Sequence, residues 1–392
     1  MVAVPKYSPS HPVRVVTAAA LFDGHDAAIN VMRRILQATG AEVIHLGHNR
    51  AAAEVVDAAV EEDAQAIAVS SYQGGHNEYF RYMKDLLAQR GASHIRIFGG
   101  GGGVIVPREI EALEDYGIEK IFSPEDGREL GLQGMINHLL QNSDFDPIEM
   151  ETAGAGAVLA VKEGAVHAEV GPEHPVALAR MISLAERRSS LPTHLASALD
   201  DWKKSRRCST SEIRPASVFG VTGTGGAGKS SLIDELLLRF LRDYEDRTVA
   251  VLCVDPSKRR TGGALLGDRI RMNALGSARV FMRSLATRGS MAEVSEATSE
   301  ALEILKLAGF DLVILETSGI GQGNSAVVDL ADVTAYVMTP EYGAPSQLEK
   351  IDMIDFADLV VVNKYERRGA EDALRDVRKQ YRRSRELFGD TP

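Results

Sequence analysis

Gly223-Thr224-Gly225-Gly226-Ala227-Gly228-Lys229-Ser230 satisfies the pattern GxxxxGK[ST], directly after one apolar run and directly before one amphipathic run. Few short stretches constrain a fold more. The glycines let successive backbone N–H groups turn inward, and the following helix presents its positive end to whatever occupies the turn. A strand, such a turn and a helix in that order belong to parallel α/β architecture, because parallel strands need crossovers. The motif predicts a phosphate cradle. Gly223, Gly225, Gly226, Ala227 and Gly228 form its backbone, Lys229 reaches the β and γ phosphates, and Ser230 offers a hydroxyl to Mg²⁺, with Ser231 beside it.

The alternation extends on both sides of the motif. Ahead of it, apolar runs at Val13 to Ala18, Glu42 to Leu46, Gln65 to Ser70, His94 to Phe98 and Glu119 to Phe122 read as strands. Helical patterns lie between and after them, at Ala27 to Ala38, Ala51 to Glu62, Glu78 to Gln89, Arg108 to Asp115 and Gly127 to Leu140. Five βα units predict a first parallel sheet covered on both faces, with ligands outside the carboxyl ends of its strands. From Gln141 to about Pro215 the pattern breaks into a connector. It has Gly-rich stretches (Ala153 to Gly156, Gly171-Pro172) and two helical patterns, Pro175 to Glu186 and His194 to Lys204. No chemistry is assigned to it. The second region offers strands at Ser217 to Val221, Thr248 to Val254, Asp311 to Leu315, Thr334 to Met338 and Asp358 to Val362, with a helix at Ser231 to Leu241. The expected division is 1–145, a partly helical linker 146–212, and 213–392. The last ends so soon after its final strand that truncation is expected.

Composition narrows the function classes. The 392 residues hold 44 Lys+Arg against 55 Asp+Glu, a formal net charge of −11. No basic excess exists to displace counterions from phosphates, which argues against a general nucleic-acid or membrane-surface binder. The local run Lys258-Arg259-Arg260 suits one phosphate ligand at most. Cys208 and Cys253 form neither a CxxC pair nor a disulfide framework. No targeting or spanning segment is legible, and a cytoplasmic setting is expected.

A phosphate cradle with Mg²⁺ needs oxygen ligands near the octahedral directions. Asp255 ends one strand, Asp268 stands in the Gly-rich segment Gly262 to Arg269, a loop suited to moving, and Glu316-Thr317-Ser318-Gly319 follows another strand. That last stretch parallels the DxxG switch of GTPases, with Glu for Asp. Any one acid alone reads better as a solvated charge; two at strand ends beside the cradle favour metal binding. Asn363-Lys364-Tyr365-Glu366 stands where GTPases carry NKxD, so GTP is favoured. Glu366 lengthens by one bond the arm that reads guanine.

In the first region Asp23-Gly24-His25-Asp26 follows strand one. Asp23 is placed to bond one ring nitrogen, which fixes the tautomer and frees the other nitrogen for a metal. No Cys/His cluster completes a zinc site, so a metal carried by a large cofactor suits better. His45, His48, His76 and His94 read as loop residues that titrate near neutrality and bind nothing. Small residues at Ser70 to Gly75 and at Gly99 to Gly103, after strands three and four, predict a slot beside the sheet.

Together, the DxH, the Ser-Ser segment and the glycine run resemble the cobalamin-binding domains of acyl-CoA mutases. That resemblance implies a flavodoxin-like fold, with His25 as lower axial cobalt ligand, Asp23 as its orienting partner, Gly24 and Asp26 in the same loop, and a tail pocket lined by Ser70, Gly99, Gly100, Ser123 and Pro124. Ala28 stands where the family's DxHxxG has its second glycine. Gly223 to Ser230, Asp255-Pro256-Ser257, Gly262 to Arg271 and Glu316 to Gln322 resemble the GTPase chaperones (MeaB type) of methylmalonyl-CoA mutase. From them come a phosphate contact for Arg271 and a water-positioning role for Gln322. Both domains in this order resemble the front of the fused isobutyryl-CoA mutases. The implied cofactors are adenosylcobalamin and Mg²⁺, with GTP/GDP as nucleotide, a homodimer, and an acyl-CoA mutase barrel that this chain lacks. In such a protein GTP hydrolysis would gate cofactor loading for interconversion of isobutyryl-CoA and n-butyryl-CoA. A stand-alone chaperone or cobalamin-delivery module without isomerase role stays open.

Overall fold

The computed structural model describes residues 4–148, 160–162, 165–167, 169–209, 216–258, 261–287, 291–317, 326–343, 348, 351 and 353–385. Arg259, Arg260, Ser318, Gly319 and Gln322 lie outside them, as does the segment Ala153 to Gly156.

The first unit alternates β1 (Arg14–Ala20), α1 (Ala27–Ala38), β2 (Glu42–Arg50), α2 (Ala52–Glu61), β3 (Ala66–Ser70), α3 (His76–Gln89), β4 (Arg96–Gly100), α4 (Pro107–Asp115) and β5 (Lys120–Phe122). Two helices follow, α5 (Pro124–Glu129) and α6 (Gly131–Ser143), where the periodicity reads as one. Gly131, in the left-handed region (φ 65), separates them. All strand pairs run parallel in the order β2-β1-β3-β4-β5. All seven residues of β1 are buried, as a strand covered on both faces requires. The order reverses between β1 and β3, and a sheet of this topology leaves its crevice at that point.

A short antiparallel hairpin, β6 (Ala160–Lys162) with β7 (Ala165–His167), precedes α7 (Pro175–Glu186) and α8 (Thr193–Ser209). Leu178, Met181 and Ile182 of α7 are fully buried and belong to the core of the second sheet. Within the partly helical connector this helix thus has a packing role of its own.

The second unit begins with β8 (Ser217–Gly223), α9 (Lys229–Asp243), β9 (Val249–Asp255), β10 (Ala264–Leu266) and β11 (Val280–Ala286). It continues with α10 (Met291–Ala308), β12 (Leu312–Thr317), α11 (Ala326–Leu330), β13 (Val333–Met338), α12 (Met353–Phe356), β14 (Leu359–Val362) and α13 (Ala370–Ser384). Its sheet runs β11-β9-β12-β8-β13-β14, all parallel. That is six strands where the sequence pattern gives five. The sixth is β11, whose apolar run is interrupted by Arg283 and Ser284.

The remaining strand, β10, belongs to the other sheet. It pairs parallel with β2, Ala264 opposite Glu42, Leu265 opposite Val43 and Leu266 opposite Ile44. A segment read from sequence as a mobile Gly-rich loop is thus an edge strand of the first domain. Buried charges lie beneath this junction. Arg14 pairs with Glu42 at 2.9 Å, with Glu62 at 3.2 Å and with Glu186 of α7 at 2.8 Å. Arg283 of β11, fully buried, reaches Glu186 at 2.6 Å. The Ser284 N–H donates to Glu62 at 3.1 Å. Charges this deep are tolerated only when paired, and removing one partner typically costs about 3–5 kcal/mol.

Candidate functional site

Asp23 and His25 sit in the loop after β1, at the point where the strand order reverses. The Asp23 side chain is fully buried, while that of His25 is 66% exposed. Asp23 Oδ1 accepts from the His25 backbone N–H at 2.8 Å and lies 2.9 Å from His25 Nδ1; Oδ2 accepts from the Tyr72 N–H at 2.6 Å. Burial pushes the Asp23 carboxyl up, but these bonds from Tyr72 and His25 outweigh it and hold the group below the usual carboxylate range. A charged Asp23 favours a proton on Nδ1, which leaves the lone pair of Nε2 free. The Tyr72 ring stands 5.6 Å from the imidazole, centroid to centroid. Asp26 caps no backbone group of α1; its carboxylate accepts from Asn30 at 3.1 Å.

The neighbouring loops are held under strain. Phe22 (φ 64) and Asn49 (φ 56) both occupy the left-handed region, which for a bulky Phe is a genuine outlier. The Phe22 N–H donates to Asn49 Oδ1 at 2.8 Å and ties the end of β2 to the histidine loop.

Beside His25 lies a slot of about 370 Å³ between the ends of β3, β4 and β5 and helices α1 and α6. Ser70, Gly99, Gly100, Ser123 and Pro124, the residues expected there, all line it, together with Tyr72 and Ala28. A side chain at Gly99 is excluded: its Cβ would stand 2.5 Å from Phe80 Cζ and 2.6 Å from Ile121 Cδ1. Ser123 caps α5, its Oγ accepting from the Asp126 N–H at 3.1 Å. Ser70 Oγ is buried without a hydrogen-bond partner. A mostly apolar slot with one orphaned hydroxyl fits the flat heteroaromatic tail of cobalamin.

Of the four histidines read as loop residues titrating near neutrality, His45 lies inside β2, His76 opens α3, and neither His45 nor His94 titrates in that range. His45 contacts the Thr17 hydroxyl at 3.0 Å and His94 the Arg180 guanidinium at 3.2 Å; burial holds each down at about 4, neutral. His76 bonds Glu109 at 3.0 Å. His48 is exposed.

In the second unit the turn from Gly223 to Gly228 joins β8 to α9, with Lys229 and Ser230 opening the helix. Lys229 Nζ donates to the Gly223 carbonyl at 3.2 Å. Ser230 Oγ lies 2.9 Å from Glu316 Oε1 and 3.2 Å from Asp268 Oδ1, so residues distant in sequence meet at one hydroxyl. Burial, then Asp268, pushes Asp255 up to about 8; burial and Asp268 likewise push Glu316 up to about 7. Asp255 Oδ2 and Thr317 Oγ1 are buried without hydrogen-bond partners. Crowded acids and orphaned oxygens fit a hard divalent cation such as Mg²⁺. Cys253 Sγ, behind Glu316 at 3.8 Å, is a soft donor that Mg²⁺ does not use.

Asn363 Nδ2 donates to the Ala227 carbonyl at 2.7 Å and Lys364 Nζ to the Gly226 carbonyl at 2.7 Å, which ties the base-side loop to the cradle. Glu366 and Ser231 are exposed. Arg271 points into solvent, 3.7 Å from Asp268. Sequence reasoning missed Tyr72 and Asn49 as partners of the histidine loop; the Ser-Ser segment before Tyr72 was the available signal.

Fold and sites define a class: an α/β domain with a carboxylate-oriented histidine over a slot, joined to a P-loop nucleotide-binding domain. Residues 178–387 match the family described as "Methylmalonyl Co-A mutase-associated GTPase MeaB", and residues 13–123 that described as "B12 binding domain". The chain belongs to the MeaB family and carries a cobalamin-binding domain ahead of the GTPase domain. It is 58% identical over 387 residues to a fused isobutyryl-CoA mutase of Geobacillus kaustophilus (strain HTA426), covering 97% of this chain and 34% of that protein. It thus spans about a third of that relative's length. A putative GTPase of Caulobacter vibrioides (strain ATCC 19089 / CIP 103742 / CB 15) is 37% identical over 209 residues, 52% of this chain and 60% of that one. A solved LAO/AO transport system kinase superposes with a TM-score of 0.39 at 24% identity, covering 56% and 61% of the two chains. Among the described residues no helix is long and apolar enough to cross a membrane.

Proposed function

We propose that this chain binds adenosylcobalamin through His25 and hydrolyses GTP with Mg²⁺ in its second domain, as the cofactor-handling part of an isobutyryl-CoA mutase. The observation that carries the reading is the buried Asp23 holding an exposed His25 beside Tyr72, which lines the slot. His25 Nε2 would be the ligand offered to the cobalt, Asp23 would keep that ring oriented, and Ser70, Gly99, Gly100, Ser123 and Pro124 would enclose the cofactor's tail. What cobalamin supplies when bound is a weak cobalt–carbon bond, the source of radical rearrangement of an acyl-CoA skeleton. That rearrangement, from isobutyryl-CoA to n-butyryl-CoA, would need the rest of a protein as long as the fused relatives.

In the second domain the cradle from Gly223 to Gly228 would bind the β and γ phosphates with Lys229. Ser230, Asp255, Asp268, Glu316 and Thr317 would hold Mg²⁺ directly or through water. Asn363, Lys364 and Glu366 would face the guanine, Arg271 a phosphate, and Gln322 the attacking water. Nucleotide state would gate cofactor loading. The division into 1–145, 146–212 and 213–392, with β10 and α7 packed across those bounds, and assembly as a homodimer in the cytoplasm, belong to the same proposal.

The test uses the 392-residue chain: spectrophotometric titration with adenosylcobalamin, and phosphate release from GTP with and without Mg²⁺. The expected result is a bound corrinoid whose cob(II)alamin form shows imidazole nitrogen coupling in electron paramagnetic resonance, with Mg²⁺-dependent GTP turnover. Colourless protein after gel filtration overturns the first half, and absence of GTP turnover the second.

A further inference from the structure

We propose that the cobalamin-binding domain completes the metal site of the GTPase domain: Glu61 and Glu62, with strand β2, are positioning elements that hold Asp268 at Ser230 through Arg269 and β10. The inference rests on the nucleotide reading above and names what regulates that site.

Asp268 is held from both sides by the other domain. Upstream, β10 finds its ladder on β2, and among the described residues its pairing with its own domain is one bridge, Ser257 to Ala264. Downstream, the buried Arg269 donates from Nε to Glu62 Oε1 at 2.8 Å and from Nη2 to Glu61 Oε2 at 2.7 Å. Arg269 also donates to the Met282 carbonyl of β11. The Ile270 side chain fills the space over Gly47 of β2, where a Cβ would stand 2.7 Å from its Cδ1. Arg50 Nη2 donates to the Ile270 carbonyl at 3.4 Å. The Asp268 carboxylate turns the other way, to Ser230.

This arrangement has a physical reason. Asp255, Asp268 and Glu316 repel one another, so without a cation a free loop would carry Asp268 off into water. Anchoring its two flanks on a separate rigid sheet keeps the ligand in position and removes the ordering cost from metal binding. Outer partners of metal ligands typically set affinity by about 10–100-fold. The charges of Glu61 and Glu62 never touch the phosphate cradle, so their effect should fall on the metal and spare the nucleotide. A merely structural weld would move stability alone.

Two substitutions outside the nucleotide site separate these cases. Glu61→Ala removes one anchor of Arg269. Gly263→Ala places a Cβ 2.2 Å from the Gln37 carbonyl oxygen and 2.9 Å from that of Ala41, which lifts β10 from the sheet edge. Calorimetry on the 392-residue chain measures GDP binding without Mg²⁺ and the Mg²⁺ concentration that half-saturates the GDP complex; thermal melts run alongside. The expected result is a half-saturating Mg²⁺ concentration raised about tenfold in both variants, an unchanged Mg²⁺-free GDP affinity, and a smaller rise in Glu61→Gln, which keeps one acceptor. Variants that melt earlier yet need no more Mg²⁺ than the parent overturn the inference. A parent chain that binds no GDP overturns instead the nucleotide reading on which it rests.

Discussion

Asp23→Asn tests the cobalamin site with almost no change of shape. The carboxylate has two occupied oxygens: Oδ1 serves the His25 N–H and Nδ1, and Oδ2 serves the Tyr72 N–H. An amide has one oxygen. Turned toward His25, it sets its NH₂ against the Tyr72 N–H; turned the other way, it leaves both His25 groups facing donors. One buried donor without an acceptor costs about 1–3 kcal/mol. Loss of a ligand-orienting carboxylate weakens metal binding by about 10–100-fold, or roughly 1.4–2.7 kcal/mol. The sign with pH follows from the lowered position of Asp23. Its stabilising contribution is present above the unfolded carboxylate range and is lost as pH falls through its lower folded value. Between pH 6 and 8 the group stays charged, so the penalty should be flat across that window. The assay is spectrophotometric titration with adenosylcobalamin, paired with electron paramagnetic resonance of the cob(II)alamin form. A variant that binds within twofold of the parent, with the same nitrogen coupling, refutes the orienting role.

Lys229→Ala should abolish GTP turnover and leave cobalamin uptake without added nucleotide intact, as phosphate release and absorbance spectra will report. Gly99→Ala forces a methyl against Phe80 and Ile121. Overpacking of that kind costs about 1–3 kcal/mol, so the chain should melt earlier and bind cobalamin more weakly while keeping its GTPase activity. Glu316, raised to about 7, and Asp255, raised to about 8, bind more protons folded than unfolded in the metal-free protein. Stability should therefore fall as pH rises from the unfolded carboxylate range toward 8, on the order of 3 kcal/mol for Glu316 alone. Mg²⁺ with nucleotide should reverse that fall, and a melting temperature flat from pH 5 to 8 without metal would contradict the clustered acids.

Most strands and helices were legible because parallel α/β units write themselves as short apolar runs and 3.6-residue periods, as α1 and α7 do. The candidate site residues stood out for a related reason: Asp23, Ser70, Gly99, Asp255 and Glu316 lie at or just past the carboxyl ends of strands. What escaped is polar or distant. In β11 the residues Arg283 and Ser284 interrupt the apolar pattern because they face a buried ion cluster rather than a core of methyl groups. In β10 three residues inside a Gly-rich stretch pair by backbone alone with an edge far away in the chain, which no side-chain period can announce. Nor does spacing reveal that Arg269 points to Glu61 and Glu62 while its neighbour Asp268 points to Ser230.

Because β10 covers β2, the linear order of the chain and the boundaries of its folded bodies do not coincide. A fragment cut near residue 145 would leave the backbone amides and carbonyls of β2 bare, an open template for pairing with a second copy. The complementary fragment would keep β10 with nothing to lie against and Arg269 with no carboxylates to neutralise it. Aggregation of the first piece and loss of solubility in the second are the foreseeable outcomes of dissection, and useful dissections of relatives with this layout would keep residues 42–62 and 261–284 together.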